Sequence, residues 1–325
     1  LQLFISFFLL VIFIIDEFSF SFRYPPLSPA AWWLEEPPSV SLLPQTARLK
    51  TFGMEYSWND VFLHQGWQEI KDYLPFKNAL FPNYNLLYNI HSADINTGGL
   101  IPGKIHLLKN LINEISLDQK NNFIQLSSLA EKSLLIFGVE HLISSYPLIT
   151  DHYEQVEEIS PDFYPSFFLY HATDAYPPIY PASKNLQVTT VEELKRTLPQ
   201  IDTKNKTILS IEDINLPDEL PSKLSIKKIP KPIDEKYQII TDKNSLFVFN
   251  RNFYPGWHVK LNGQDTTPAI VNLNQPAVRI PAGENEIQFF FKSYVFLLGK
   301  LLTVAGLITA FLMVFLGSLK DFRKS

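Results

Sequence analysis

The two ends of the chain carry its longest uninterrupted apolar stretches. Residues 1–15 contain no charge, and residues 294–319 contain a single charged residue, Lys300. A helix needs about 20 apolar residues to cross the roughly 30 Å hydrocarbon core of a bilayer. The pattern therefore predicts a transmembrane helix at 294–319. It predicts another at 1–20, whose beginning we expect to be missing from the chain.

Each apolar stretch has a competing interpretation. The first could be an uncleaved anchor or a signal peptide, but no basic residue precedes it and no small-residue cleavage site closes it. The last could be a buried core helix, but a short basic tail at 320–325 follows it. Basic residues beside a span favour the cytoplasmic side. We therefore expect residues from about 20 to 293 to lie outside the cytoplasm.

Between the ends, the hydrophobic pattern divides the chain further. Prolines and a tryptophan pair mark residues 21–44, which we interpret as a linker. Residues 45–235 mix helical periodicity with short alternating runs, which predicts a mixed α/β domain. The predicted strands lie at 48–52, 138–143, 166–171, 177–182 and 207–211, and the predicted helices at 105–115, 126–135 and 190–198. Lys, Pro and Ser at 215–234 predict an exposed connector.

Residues 236–293 alternate apolar and polar positions in five or six short runs separated by turn residues. The pair Asn262-Gly263 between two such runs is typical of a tight β-hairpin, and a second turn lies at 281–285. This pattern predicts a small antiparallel β-sandwich-like unit next to the C-terminal span. The predicted fold class is α+β: a mixed α/β extracytoplasmic domain followed by this β unit, flanked by transmembrane helices.

Composition excludes several classes of function. The chain of 325 residues has no cysteine, which excludes a disulfide scaffold, a thiolate nucleophile and Cys-ligated metal sites. Its formal net charge is -5, whereas a nucleic-acid-binding protein typically carries an excess of basic residues. The seven histidines form no HxH or HxxxH pair, so no metal site is expected.

A glycine-rich segment at 98–105 comes close to a phosphate-binding loop. It fits G-x-x-x-x-G-K, but Ile105 stands where the motif has the Ser or Thr that holds magnesium. Pro102 also removes a backbone N–H from the anion cradle. We interpret the segment as a turn before a helix and expect no nucleotide and no other cofactor.

The weak binding candidates form two groups. Asp94, Asn96 and Lys104 flank the glycine-rich segment, where they either line a ligand-facing loop or cap turns. Tyr254 and Trp257 either stack on the apolar faces of sugar rings or fill the β core. The sequence contains no Gly-x-Ser-x-Gly motif or other nucleophile–base set, so we identify no catalytic residue.

The last β region carries a specific combination of short motifs. They are FYPGW at 253–257, LNG at 261–263 and PAGEN at 281–285. This combination before a terminal apolar helix resembles the bacterial YfhO-like membrane proteins, which are related to the GT-C glycosyltransferases. Family members tend to have Asp-Gly where this chain has Asn262-Gly263. A looser resemblance extends to residues 81–90 and 135–144.

The resemblance implies sugar transfer at the outer face of the bacterial cytoplasmic membrane. The donor would be a polyprenyl-phosphate sugar, and the acceptor an envelope glycan or lipid. In such proteins the catalytic acid lies in an early extracytoplasmic loop that this chain lacks, so no catalytic residue carries over. We expect a non-catalytic C-terminal part that binds acceptor or supports the membrane part. The alternative is a stand-alone, membrane-anchored envelope protein that binds a glycan or a protein.

Overall fold

The chain divides into two compact units, Leu1–Ala175 and Tyr176–Ser325. The division predicted from the sequence lies later, after residue 235. Strands before and after that position share one sheet of the second unit. The computed structural model describes residues 2–23, 29–44, 46–54, 74–94, 103–118, 120–160, 166–212, 214–216, 219–229 and 235–322.

The first unit combines helices with short strands. Its described helices are α1 (Gln2–Arg23), α2 (Ala30–Leu34), α3 (Pro38–Ser41), α4 (Leu74–Asn78), α5 (Gly103–Ile112) and α6 (Ser128–Ile136), with a 3-10 helix at Tyr84–Tyr88. Its described strands are β1 (Arg48–Phe52), β2 (His91–Ser92), β3 (Ile115–Asp118), β4 (Phe123–Leu126), β5 (His141–Ser144), β6 (Leu148–Ile149), β7 (Glu154–Ile159) and β8 (Phe167–His171). The predicted linker thus contains the short helices α2 and α3.

The main sheet of the first unit has the strand order β2-β1-β5-β8-β7. Strands β2, β1 and β5 run parallel, while β8 and β7 are antiparallel to their neighbours. Strand β1 is buried at four of its five residues, as expected for a parallel strand covered on both faces. The sheet packs on a core that includes Leu49, Phe76, Leu80 and Leu169. A smaller sheet has the order β3-β4-β6.

The predicted helix at 105–115 ends earlier than its apolar periodicity suggests. Helix α5 ends at Ile112, and Ile115 begins strand β3, where it pairs with Leu126. The spacing of Ile115 continues the helical period, so the pattern alone does not separate the two elements. The tertiary pairing with β4 decides the boundary.

The second unit is built mainly from strands. Its described strands are β9 (Ile179–Pro181), β10 (Lys184–Gln187), β11 (Thr207–Ser210), β12 (Leu224–Ile229), β13 (Glu235–Thr241), β14 (Ser245–Phe249), β15 (Trp257–Leu261), β16 (Gln264–Thr266), β17 (Ala269–Val271), β18 (Gln275–Ile280) and β19 (Gly283–Phe291). Its described helices are α7 (Val191–Thr197) and α8 (Tyr294–Phe322), with 3-10 helices at Leu198–Gln200 and Thr203–Asn205. Together the two units confirm the mixed α+β class.

Two sheets of the second unit enclose a shared core. Their strand orders are β10-β11-β17-β18-β14-β9 and β12-β13-β19-β15-β16. The first sheet contributes Phe247 and Val278 to this core, and the second contributes Ile287 and Phe289. Both sheets are antiparallel apart from the parallel pair β10–β11, and two sheets that bury their inner faces against each other form a sandwich-like core. All the runs predicted as strands within 236–293 contain one.

The predicted connector at 215–234 contains a strand, which corrects the sequence-based interpretation. Strand β12 pairs antiparallel with β13 along its whole length and lies at the edge of its sheet. Lys227 and Lys228 are exposed on it. Edge strands often carry lysines because charge discourages pairing with other chains. The same lysines make the segment look like a solvated linker in the sequence.

The hairpin predicted at Asn262-Gly263 is confirmed. Both residues have positive φ, 51° and 81°, as a type I′ turn requires. The turn joins β15 to the antiparallel strand β16, and Leu261 and Gln264 form the pair next to the turn. The Asn262 side chain donates to the side-chain oxygen of Asn285 at 2.9 Å, so it also ties the turn to β19.

Gly263→Val is expected to lower the free energy of unfolding of the second unit by about 1–2 kcal/mol. A Cβ at this position meets no atom within 4 Å, so the cost is the strain of a β-branched residue at positive φ rather than a clash. Chemical unfolding of the full chain in detergent measures it. Gly263→Asn is the control, because Asn tolerates positive φ. Equal losses in both variants would contradict a type I′ turn here.

Among the described residues, one helix is long and apolar enough to cross a membrane. It is the stretch Tyr294–Leu312 of α8. Residues 2–23 do form a helix, α1, but a pair of flanking transmembrane helices is not supported. The coarser prediction of a membrane-length C-terminal helix is the part that the structure contains.

Candidate functional site

Helix α8 presents an apolar surface that the protein itself does not cover. None of the side chains over Tyr294–Leu312 is buried. At about 1.5 Å per residue this stretch is about 28 Å long, close to the thickness of a hydrocarbon core. The hydroxyls of Thr303 and Thr309 each donate to the backbone carbonyl four residues earlier, at 2.9 Å. Paired hydroxyls of this kind lower the cost of placing the helix in lipid.

The β sheet of the second unit leads directly into this helix. Strand β19 ends at Phe291, and α8 begins at Tyr294. Trp257, the first residue of β15, pairs with Phe291. The backbone N–H of Lys292 donates to the carbonyl of Gly256 at 2.7 Å. The start of β15 and the loop before it therefore lie at the same end of the sheet as the start of α8.

The FYPGW segment folds as a tight turn at this end of the sheet. The N–H of Trp257 donates to the carbonyl of Tyr254 at 3.0 Å. Gly256 has a φ of +104°, and a Cβ there would lie 2.8 Å from the ring of Phe291. Glycine is thus required by both the backbone conformation and the close approach. The turn leaves the side chain of Tyr254 47% exposed.

Trp257 packs against charged and aromatic neighbours. The guanidinium of Arg251 lies 3.9 Å from the centroid of its ring, and Phe291 meets it edge-on at 5.5 Å. Arg251 also forms a 2.5 Å ion pair with Glu235. Burial lowers the pKa of Arg251, and the charge of Glu235 opposes that shift. The ring face toward Arg251 is therefore occupied and not available to a sugar.

Asp94 follows β2 at the carboxyl end of the parallel strands of the first unit, where open α/β sheets commonly bind ligands. Its carboxylate accepts from the Lys50 ammonium at 2.6 Å, from the N–H and hydroxyl of Thr51 at 2.9 Å, and from the Ser92 hydroxyl at 3.1 Å. The side chains of Lys50 and Asp94 are only 6% and 7% exposed. These four donors tie the ends of β1 and β2 together.

The other two candidates of this group are placed differently. Asn96 lies outside the described residues, as does most of the glycine-rich segment. Lys104 is exposed at the second position of α5. The sequence analysis missed the partner of Asp94, which is Lys50. Its sequence signal is a lysine at the centre of the predicted strand at 48–52.

A histidine pair in the first unit was also missed by the sequence analysis. His141 on β5 and His171 on β8 are cross-strand partners, with ring centroids 4.8 Å apart. His141 is 6% exposed, and its Nδ1 has no hydrogen-bond partner among the described residues. Burial, and then the neighbouring His171, lower its pKa from 6.5 to about 4. Only the sheet pairing brings these two residues together, so no local motif announces them.

The comparisons with known proteins add no relatives. No match to this chain was found among protein families, curated proteins or solved structures. The site is therefore interpreted from its own geometry. In the described part of the chain, no group of three or more His, Asp or Glu is placed to hold a metal ion. Asp94 and Trp257 make internal contacts, whereas Tyr254, Phe291 and the apolar side chains at the start of α8 are exposed.

Proposed function

We propose that this chain is the non-catalytic, extracytoplasmic C-terminal part of a bacterial envelope membrane protein, which α8 tethers to the cytoplasmic membrane. The observation that carries the proposal is the uncovered apolar surface of α8, which is separated from β19 by two residues. The three Cα–Cα steps from Phe291 to Tyr294 span at most about 11 Å. Such a short connection holds the second unit beside the bilayer.

The sequence after the span supports the orientation. Lys320, Arg323 and Lys324 follow the apolar stretch, with one acidic residue among them. Basic residues are retained on the cytoplasmic side of a span. This charge distribution supports an orientation in which the start of α8, and with it the β unit, lies on the extracytoplasmic side.

The proposed link to sugar transfer rests on the resemblance of the motifs at 253–257, 261–263 and 281–285 to those of the YfhO-like proteins. It makes a polyprenyl-phosphate sugar or an envelope glycan the proposed partner of the whole assembly. Because Asp94 and Trp257 are held by Lys50 and Arg251, we assign them to structural support of the fold. The second candidate function, a stand-alone membrane-anchored binding protein, shares the same tether.

The absence of cysteine allows a direct test of the topology by single-cysteine labelling. In intact spheroplasts that express the full chain, Ile240→Cys should react with an impermeant maleimide. Ser325→Cys should react only after permeabilisation. When Leu302→Arg and Leu307→Arg are added, Ser325→Cys should react with the maleimide without permeabilisation. Each arginine at the centre of a span raises the free energy of membrane insertion by about 2.5–3.5 kcal/mol.

The control variant is Lys300→Arg, which keeps the one charge already present in the stretch. It should leave the labelling of Ser325→Cys unchanged. Reaction of Ser325→Cys in intact spheroplasts of the parent chain would show that α8 does not cross the membrane. Protection of Ile240→Cys together with that reaction would show the opposite orientation.

A further inference from the structure

We propose that the end of the β sheet nearest α8 docks on an anionic lipid surface, through a rim of aromatic and basic side chains that are exposed or partly exposed. This inference rests on the proposed membrane tether and adds the docking face and the lipid chemistry. The rim consists of the following residues: Tyr254, His258, Lys260, Phe290, Phe291 and Lys292. They belong to β15, to β19, to the turn that leads into β15 or to the residue that follows β19.

Rings and cations of the rim contact each other. His258 stacks on Phe290 at a centroid distance of 5.3 Å, and the Lys260 ammonium lies 5.6 Å from the same ring. The Lys292 ammonium lies 5.3 Å from the ring of Tyr294, in the first turn of α8. Amphipathic rings are enriched at the headgroup level of membranes, and lysines reach lipid phosphates from the same depth. The presence of aromatic rings and lysines at the same end of the sheet is therefore typical of a surface that faces headgroups.

Charge changes sign along the strand that leads to the membrane. Strand β19 begins with Glu284 and Glu286 and ends with Phe290 and Phe291, followed by Lys292. The carboxylates of β19 thus lie toward the end remote from α8, where Glu286 is paired with Lys236, and Lys292 lies beside the helix. The carboxylate of Glu235, which is nearer to α8, is neutralised by Arg251. An anionic surface would repel the first end and attract the second, which fixes the sheet in one orientation. This complementarity favours anionic lipid over a neutral bilayer as the occupant.

The uncovered positions agree with this orientation. Tyr254 and Phe291 are large exposed side chains beside the start of α8, and the exposed apolar side chains of the helix continue from them. The docking rim is therefore continuous with the proposed membrane-embedded surface. Ile240, at the remote end of the same sheet, is 47% exposed, as Tyr254 is, and pairs with Glu284. It provides a position of equal exposure that should stay in water.

The test places a nitroxide spin label at Tyr254→Cys, Ile240→Cys or Val304→Cys of the full chain. Each protein is reconstituted into vesicles of phosphatidylcholine with or without phosphatidylglycerol. The collision rate with a water-soluble nickel chelate measures exposure. We expect the rate at 254 to be at least about threefold lower than at 240 in vesicles with phosphatidylglycerol. The reduction should shrink in phosphatidylcholine alone or in high salt, because screening weakens headgroup attraction.

The lysines are tested separately. Replacing Lys260 and Lys292 together by Gln should abolish the difference between the two lipid compositions at position 254. The matched control replaces Lys184 and Lys223, two exposed lysines outside the rim, and should leave that difference unchanged.

Three results distinguish the ideas. Equal rates at 254 and 240, with the label at 304 protected, would overturn the docking rim and leave the tether intact. An unprotected label at 304 would overturn the proposed function itself. If the protection at position 254 were the same with and without phosphatidylglycerol and at low and high salt, the anionic-lipid part of the inference would be overturned.

Discussion

Asp94→Ala is expected to destabilise the first unit by about 3–5 kcal/mol. The change leaves the Lys50 ammonium buried without its counter-charge, and it also removes the acceptor of the N–H and hydroxyl of Thr51. Breaking a buried ion pair at one partner costs much more than the pair itself contributes, because the remaining charge stays desolvated. Hydrogen exchange of the amides of β1 and β5 in the full chain measures the loss of stability.

The control is a similar change in an ion pair that is open to water. Lys236 and Glu286 are 2.5 Å apart, but the Glu286 side chain is nearly half exposed. Glu286→Ala should cost less than about 1 kcal/mol. The double variant Lys50→Met with Asp94→Leu should recover most of the loss, since it leaves no unpaired charge. If Asp94→Ala cost no more than Glu286→Ala, the ion pair would not stabilise the ends of β1 and β2.

The first unit is expected to lose about 2 kcal/mol of stability between pH 7 and pH 5 through His141. The pKa of His141 is about 4 in the folded protein and 6.5 ordinarily. Between these values the unfolded chain binds a proton that the folded chain does not. The free energy of unfolding therefore falls as the pH falls through this window. Hydrogen exchange of the amides of β5 and β8 at the two pH values, corrected for intrinsic rates, measures the change.

The variant His141→Phe isolates this contribution. It removes the titrating group and keeps a planar ring opposite His171. The stability that this variant loses between pH 7 and pH 5 should therefore be smaller by about 2 kcal/mol. Burial raises the pKa of Glu140, which acts with the opposite sign, so the comparison between variants is the informative one. His106→Phe, an exposed histidine in the same unit, should leave the pH dependence unchanged. If the free energy of unfolding of His141→Phe depended on pH as in the parent chain, another group would be the cause of that dependence.

Features that depend on neighbouring residues were predictable. The hairpin at Asn262-Gly263 follows from the conformational freedom of its two residues. Helix α7 begins as the sequence predicts, since the Thr190 hydroxyl accepts from the N–H of Glu193. The membrane-length stretch of α8 follows from its composition alone. In each case the free energy that selects the structure comes from contacts within a few residues.

Features that depend on remote residues were not predictable. Strand β12 reads as a linker until its pairing with β13 is seen, because its lysines lie on a sheet edge. Trp257 was a candidate for stacking on sugars, and the structure places the Arg251 guanidinium over one face of its ring. No spacing rule brings a guanidinium from the loop after one strand onto the first residue of the next.

The sequence by itself determined the local elements of this protein: the alternating strands, the tight turn at Gly263 and the apolar C-terminal helix. These follow from side-chain periodicity and backbone preference, which act within a few residues. Only the tertiary structure decided that Asp94 is paired with Lys50, 44 residues earlier in the chain, and that His141 faces His171. Such pairs form when strand register places distant groups together, and burial then removes the water that would otherwise solvate them.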